Sequence, residues 1–125
     1  MKETEDHIFV AAADCTGHGV PGAFMSLLGV SFLNEVIESG SVESADILNK
    51  TRGKLKATLR QHINANEPRD GIDIGLCSIN KKNNELQFSG AYNSLIIVRN
   101  YNTKNPEMIE FKGDKMTYRF SLQGR

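Results

Sequence analysis

The stretch ADCTGHGVPGAFMS, residues 13–26, decides how this chain folds. An aspartate closes an apolar run, glycines make a turn, and Pro21 stands where a helix can begin. Proline suits the first turn of a helix because the N–H it lacks would have no partner there. Upstream, residues 7–13 form a short apolar run that predicts a buried strand, preceded by the charged segment MKETED, which predicts a ragged end. Downstream, residues 23–37 carry apolar side chains on nearly every side, which predicts a helix buried over most of its surface. Gly29 in its middle costs roughly 1 kcal/mol of helix propensity relative to Ala, so another backbone is predicted to pack close there.

Further out, Gly40 ends this helix and residues 41–44 offer caps for a second, running to about His62 or Asn64. Leu48, Leu55, Leu59 and Ile63 fall on one stripe, while Lys50, Arg52, Lys54, Lys56 and Arg60 take the other faces. That pattern predicts an amphipathic helix on the surface of the core, its basic side either solvated or a docking surface. From Asp70 the period changes to two, with Ile72, Ile74 and Leu76 on one face and Asp73, Gly75 and Cys77 on the other. Residues 81–84 make a hairpin turn, Leu86 and Phe88 continue the alternation, and residues 90–93 interrupt it. Residues 95–98 read as an apolar strand, 101–106 as a turn and 108–111 as a last short strand. Strand, helix, helix and hairpin-linked strands make an α+β domain, helices layered on an antiparallel sheet, with residues 1–125 as one unit.

Composition narrows the partners. Lys plus Arg and Asp plus Glu both number 15, giving no net charge and no basic footprint for a nucleic acid. The longest apolar stretch, residues 20–37, is interrupted by Pro21, Gly22, Ser26, Gly29, Ser31, Asn34 and Glu35, so membrane contact is not expected, and no signal-peptide pattern opens the chain. Cys15 and Cys77 lack CxxC spacing, which suggests neither zinc nor a disulfide and fits a reducing, cytoplasmic setting.

Asp14 is the candidate metal ligand. A strand end fixes its carboxylate, and the glycine turn can aim a backbone carbonyl at the same ion. Oxygen-only ligation suits Mg²⁺ or Mn²⁺, and such an ion beside a helix start implies a phosphorylated substrate. A phosphate-cradling P-loop is excluded, because that motif needs a lysine and this turn has neither Lys nor Arg. His18 is either a proton donor near neutral pH or a turn residue bonded to a neighbouring oxygen. Asp73 is a second ligand or a carboxylate at an edge, and Asp70 a ligand or the turn residue that starts the strand.

Three segments, ADCTGHGVPGAFMSLLG at 13–29, DGIDIGLCSIN at 70–80 and LQFSGAYNSLIIVR at 86–99, resemble the PPM-type metal-dependent serine/threonine phosphatases, in their bacterial SpoIIE-like or RsbU-like branch. The order and spacing match over about residues 7–115, and the first segment is the specific one. The resemblance implies an α-β-β-α sandwich with a Mn²⁺ or Mg²⁺ two-metal centre that activates water for in-line attack on phosphoserine or phosphothreonine. It makes the Asp14 side chain and the Cys15 backbone carbonyl metal ligands. Eukaryotic relatives place a histidine two residues after that aspartate, where this chain has Thr16, so no acid role passes to His18. The branch further implies an anti-sigma-factor antagonist as phosphoprotein substrate, a sensory or receiver domain joined to the phosphatase, and sigma-factor regulation as the setting.

The departures from the family pattern matter as well. The family's upstream GGDF-like strand and downstream GDG- or SDG-like segment, with the carboxylates that complete the centre, have no counterpart in these residues, and KGDKMTYRFSLQGR diverges after a family-like start. The chain thus resembles the middle of the domain, expected to bind metal weakly and turn over slowly, with sheet edges open to pairing in a homo-oligomer. The alternative is a non-catalytic, phosphatase-like module that binds a partner protein.

Overall fold

The computed structural model describes residues 1–15, 19–62, 72–113 and 118–121. In chain order the elements are β1 (Lys2–Glu3), β2 (His7–Cys15), α1 (Gly19–Glu38), α2 (Ser44–His62), β3 (Ile72–Asn80), β4 (Glu85–Ala91), β5 (Leu95–Arg99), β6 (Glu107–Phe111) and β7 (Tyr118–Ser121). The strands β1-β2-β3-β4-β7 form one antiparallel sheet in that spatial order, and β5-β6 form a second. The architecture is the α+β arrangement that the periodicity predicts.

Local chemistry sets the register. At the β3–β4 turn the Asn80 side chain accepts from the Lys82 and Asn83 N–H groups at 2.8 and 3.3 Å, and Asn84 takes a left-handed φ of 55°, which asparagine tolerates. The hairpin that follows places Cys77 opposite Phe88 and Gly75 opposite Gly90. The first residues are ordered rather than ragged. Lys2 and Glu3 pair with Phe9 and Ile8, Lys81 reaches Glu3 at 2.9 Å and the Thr4 carbonyl at 2.7 Å, and Lys82 pairs with Asp6 at 2.9 Å.

Both helices lie on one face of the five-stranded sheet. Phe9 and Leu76 from the sheet, Val36 and Ile37 from α1, and Ile47 from α2 make the core, with Ala11, Leu33 and Leu48 packed against it. The buried stripe of α2 is Ser44, Ile47, Thr51 and Leu55. The leucine stripe expected there is therefore rotated: Leu55 belongs to it, Leu48 and Leu59 are half-buried on its flank, and Ile63 lies outside the described residues. A polar seam explains the rotation. Gln87 Oε1 accepts from the Ser44 N–H at 3.3 Å, the Ser44 and Ser89 hydroxyls meet at 2.9 Å, and the Ser78 hydroxyl donates to the Val42 carbonyl at 2.7 Å. These bonds satisfy one of the orphan N–H groups at the start of α2 and pin that end to β3 and β4.

Three further expectations are corrected. α1 packs chiefly against α2, so Val36 and Ile37 are buried near its C-terminus while Val20, Phe24, Leu27 and Val30 remain exposed. β2 is buried only at Phe9, because among the described residues no layer covers Val10, Ala12 and Asp14, and β1 reaches no further than Phe9. The close neighbour of Gly29 is a side chain rather than a backbone: a Cβ there would stand 3.0 Å from Ile72 Cδ1. Gly40 ends α1 as expected, with φ 96° and its N–H on the Ile37 carbonyl at 3.0 Å. β7 lies beyond the last strand expected, although Tyr118 and Phe120 carry a strand's alternation, and it pairs with β4 from Glu85–Ser121 to Phe88–Tyr118.

Candidate metal centre

The antiparallel register of β2 and β3 puts Asp14 directly opposite Asp73. Directly opposite residues of an antiparallel pair share a face, and the period of two carries that face through Ala12 and Val10 on β2 and Gly75 and Cys77 on β3. It is the face turned away from the helices. Asp14 is exposed there, and Asp73 is half-buried. Two like charges directly opposite destabilise a sheet unless something cationic lies between or above them. In the sequence the two aspartates are 59 positions apart and unrelated by any local pattern; the fold brings them together.

Cys15 is the last residue of β2 and pairs with Ile72, so its side chain belongs to the helix-facing side and only its backbone can serve the Asp14 face. Cys77 lies on the aspartate face four residues along β3 from Asp73, roughly 13 Å at the rise of a strand and out of reach of an ion held there, and burial pushes its thiol up. The donors on this face are therefore oxygens, the chemistry that Mg²⁺ and Mn²⁺ select. They fit such an ion in kind and fall short in number: among the described residues no three His, Cys, Asp or Glu side chains are grouped to hold a metal. His18 and Asp70 lie outside the described residues.

One corner beside the pair is visible in the sequence only as a break in alternation. After β4, Tyr92 takes φ 65° and forms a parallel bridge to Ile74, the residue after Asp73. Asn93 then passes so close that a Cβ on Gly90 or Gly113 would stand 2.3 or 1.9 Å from its carbonyl oxygen, and one on Gly75 would stand 3.5 Å from its Cβ. Gly90 and Gly113 thus make room for one backbone crossing from the first sheet to the second, while Gly75 makes room for the Phe88 ring. Elsewhere, the hollow between α1 and α2 is lined by Glu35, Val36, Ser39, Lys50, Gly53 and Lys54. Its lysines are engaged, Lys50 with Asp46 at 2.7 Å and Lys54 with Glu35 at 2.8 Å, so it offers no free cation to an anionic ligand.

No protein-family model matches the sequence, and no curated protein does. Solved structures do. The SiaA-PP2C domain of Pseudomonas aeruginosa is 28% identical with a TM-score of 0.73, matching 97% of this chain and 48% of its own. A stage II sporulation E family protein from Thermanaerovibrio acidaminovorans is similar in fold, with a TM-score of 0.63 at 13% identity over 78% of this chain and 46% of its own. This chain spans about half the length of the structures it matches. No helix among the described residues is long and apolar enough to cross a membrane. Its fold is that of part of a PPM/SpoIIE-like phosphatase domain.

Proposed function

We propose that this chain carries one wall of a Mn²⁺- or Mg²⁺-dependent phosphoserine/phosphothreonine protein phosphatase site. The observation that carries the reading is the Asp14–Asp73 pair, two carboxylates held opposite each other on the face of the sheet turned away from the helices. In this reading the Asp14 side chain and the Cys15 carbonyl are metal ligands, and Asp73 adds the second carboxylate. A cation bound there offsets the like-charge repulsion and supplies Lewis-acid activation of water and phosphate. The protein's part is rigidity: both carboxylates sit near strand ends, fixed by a register of nine residue pairs between β2 and β3. The partner classes rest on the resemblance alone: a phosphoprotein such as an anti-sigma-factor antagonist, and a sensory or receiver domain, in a cytoplasmic signalling protein.

The test is metal binding to the whole chain. Mn²⁺ is paramagnetic, so titrating it should broaden the amide signals of Asp14, Cys15 and Asp73 first, and Asp14→Asn should abolish that selectivity. Hydrolysis of p-nitrophenyl phosphate, followed in parallel, should vanish in the same variant. Broadening centred elsewhere, or unaltered by Asp14→Asn, overturns the assignment.

A second reading, a non-catalytic module that binds a protein partner, is favoured by one observation. The N-terminal half of α1 exposes Val20, Phe24, Leu27 and Val30 without a charged residue among them. Homo-oligomerisation through sheet edges also belongs to this reading, since beyond Phe9 the outer edge of β2 has no strand partner among the described residues.

A further inference from the structure

The corner at Tyr92 is conformationally costly and has no return within the described residues. Its left-handed backbone suits glycine or asparagine, and a bulky aromatic is a poor choice for it. Packing does not compensate, because Tyr92 is 87% exposed. No hydrogen bond or ring contact among the described residues engages it. The backbone is nonetheless held firmly, wedged at Asn93 against Gly90 and Gly113 and bridged to Ile74. A strained, exposed and well-anchored aromatic thus stands beside the strand position that follows Asp73. Strain of this kind persists where the surroundings over-determine it and concentrates at sites that bind ligands.

We propose that Tyr92 contacts the substrate, its ring packing against residues that flank the phosphorylated side chain in an extended protein segment. This rests on the phosphatase reading of Asp14 and Asp73. An aromatic ring suits such a contact, because it presents a large flat surface, has few torsions to immobilise, and packs on varied backbones without requiring one sequence. A free phosphate monoester has no flanking residues for the ring to meet. Tyr92 therefore discriminates a phosphorylated protein segment from a small phosphate ester, while the aspartates and their cation serve both.

The experiment compares two probes on the full chain in Mg²⁺: a phosphoserine decapeptide and phenyl phosphate, each titrated by amide chemical shifts. Tyr92→Asn should weaken the peptide about tenfold, leave phenyl phosphate and Mn²⁺ binding unchanged, and leave the thermal midpoint equal or higher, since asparagine relieves the backbone. Tyr92→Phe should keep peptide affinity. Undiminished peptide affinity in Tyr92→Asn, equal loss of both probes, loss in Tyr92→Phe, or no peptide binding to the unaltered chain each overturns the inference. Asp14→Asn separates the two readings: if it leaves Mn²⁺ binding intact, the metal site itself is wrong. If Mn²⁺ binding falls while peptide affinity ignores position 92, only the tyrosine inference fails.

Discussion

The two faces of the five-stranded sheet divide the labour. On the helix side, Phe9 and Leu76 meet Val36, Ile37 and Ile47, and the buried Ser44, Ser78, Gln87 and Ser89 lie along a hydrogen-bonded seam. On the other side, the same two strands present Asp14 opposite Asp73, with Ala12 and Gly75 beside them. The helix side is close-packed. Among the described residues the other side packs only toward β4, where Phe88 is buried against Gly75 and Gly90, and at the ends of β2 and β3 it places two like charges directly opposite each other, a destabilising arrangement. β2 and β3 are therefore kept in register by the first face strongly enough to hold an unfavourable pair together on the second.

The largest effect that follows is on the packed face. Ile47 is fully buried at the junction of α2, β2 and β3, so Ile47→Ala should cost about 2–5 kcal/mol in denaturant unfolding. Val10→Thr, on the aspartate face and half exposed, should stay within about 0.5 kcal/mol, because threonine keeps the strand preference and the site is already wet. Comparable losses from both would mean that the second face is covered by packing and that the contrast is false.

Reversal of sign is the sharper test, and the effect is smaller. Removing one charge of a directly opposed pair should stabilise the metal-free sheet, so Asp73→Asn should raise unfolding free energy by about 0.2–1 kcal/mol. With Mn²⁺ at a hundred times its dissociation constant, the unaltered chain should gain about 2.7 kcal/mol, and Asp73→Asn should lose much of that gain. A variant less stable without metal, or equally stabilised by it, would show that the opposed carboxylates are not where the cation acts.

How far the sequence could be read depends on the range of the interaction involved. Period-two alternation through Ile72, Ile74 and Leu76 and the cap and glycine signals around Gly40 are local, and the strands and helices they specify are present. The side each element buries is set by distant partners. Gln87 and Ser89 on β4 hold the start of α2 so that Ile47, Thr51 and Leu55 face inward and Leu48 and Leu59 lie on the flank, and nothing near Leu48 in the chain signals this. The candidate site was half legible for the same reason. Asp14 stands out because a strand ends and a glycine turn begins beside it, whereas its pairing with Asp73 is a long-range register that no local spacing encodes. The Tyr92 corner registers only as a break in alternation, since what anchors it, the close approach of the Asn93 backbone to Gly90 on β4 and Gly113 after β6, joins distant parts of the chain.

The smallest effect provides the control for the charge argument. Asp46 lies on the solvent side of α2, one turn before Lys50, and the Lys50 ammonium that hydrogen-bonds its carboxylate lowers its pKa, helped by a bond from Ser41 and opposed by partial desolvation. A carboxyl whose folded pKa lies below its unfolded value contributes stability above the unfolded value and loses it as pH falls through the folded one. Carboxyl-carbon NMR should therefore find the Asp46 midpoint below the ordinary aspartate value of about 3.9, and Lys50→Met should move it back up. Because the pair is exposed, added salt should shrink the difference. Asp46 and Asp14 are both exposed carboxylates, but one faces a lysine and the other an aspartate. If neutralising Asp46 stabilised the chain as neutralising Asp73 should, the benefit would come from a general reduction of negative charge, and the opposed pair would lose its special standing.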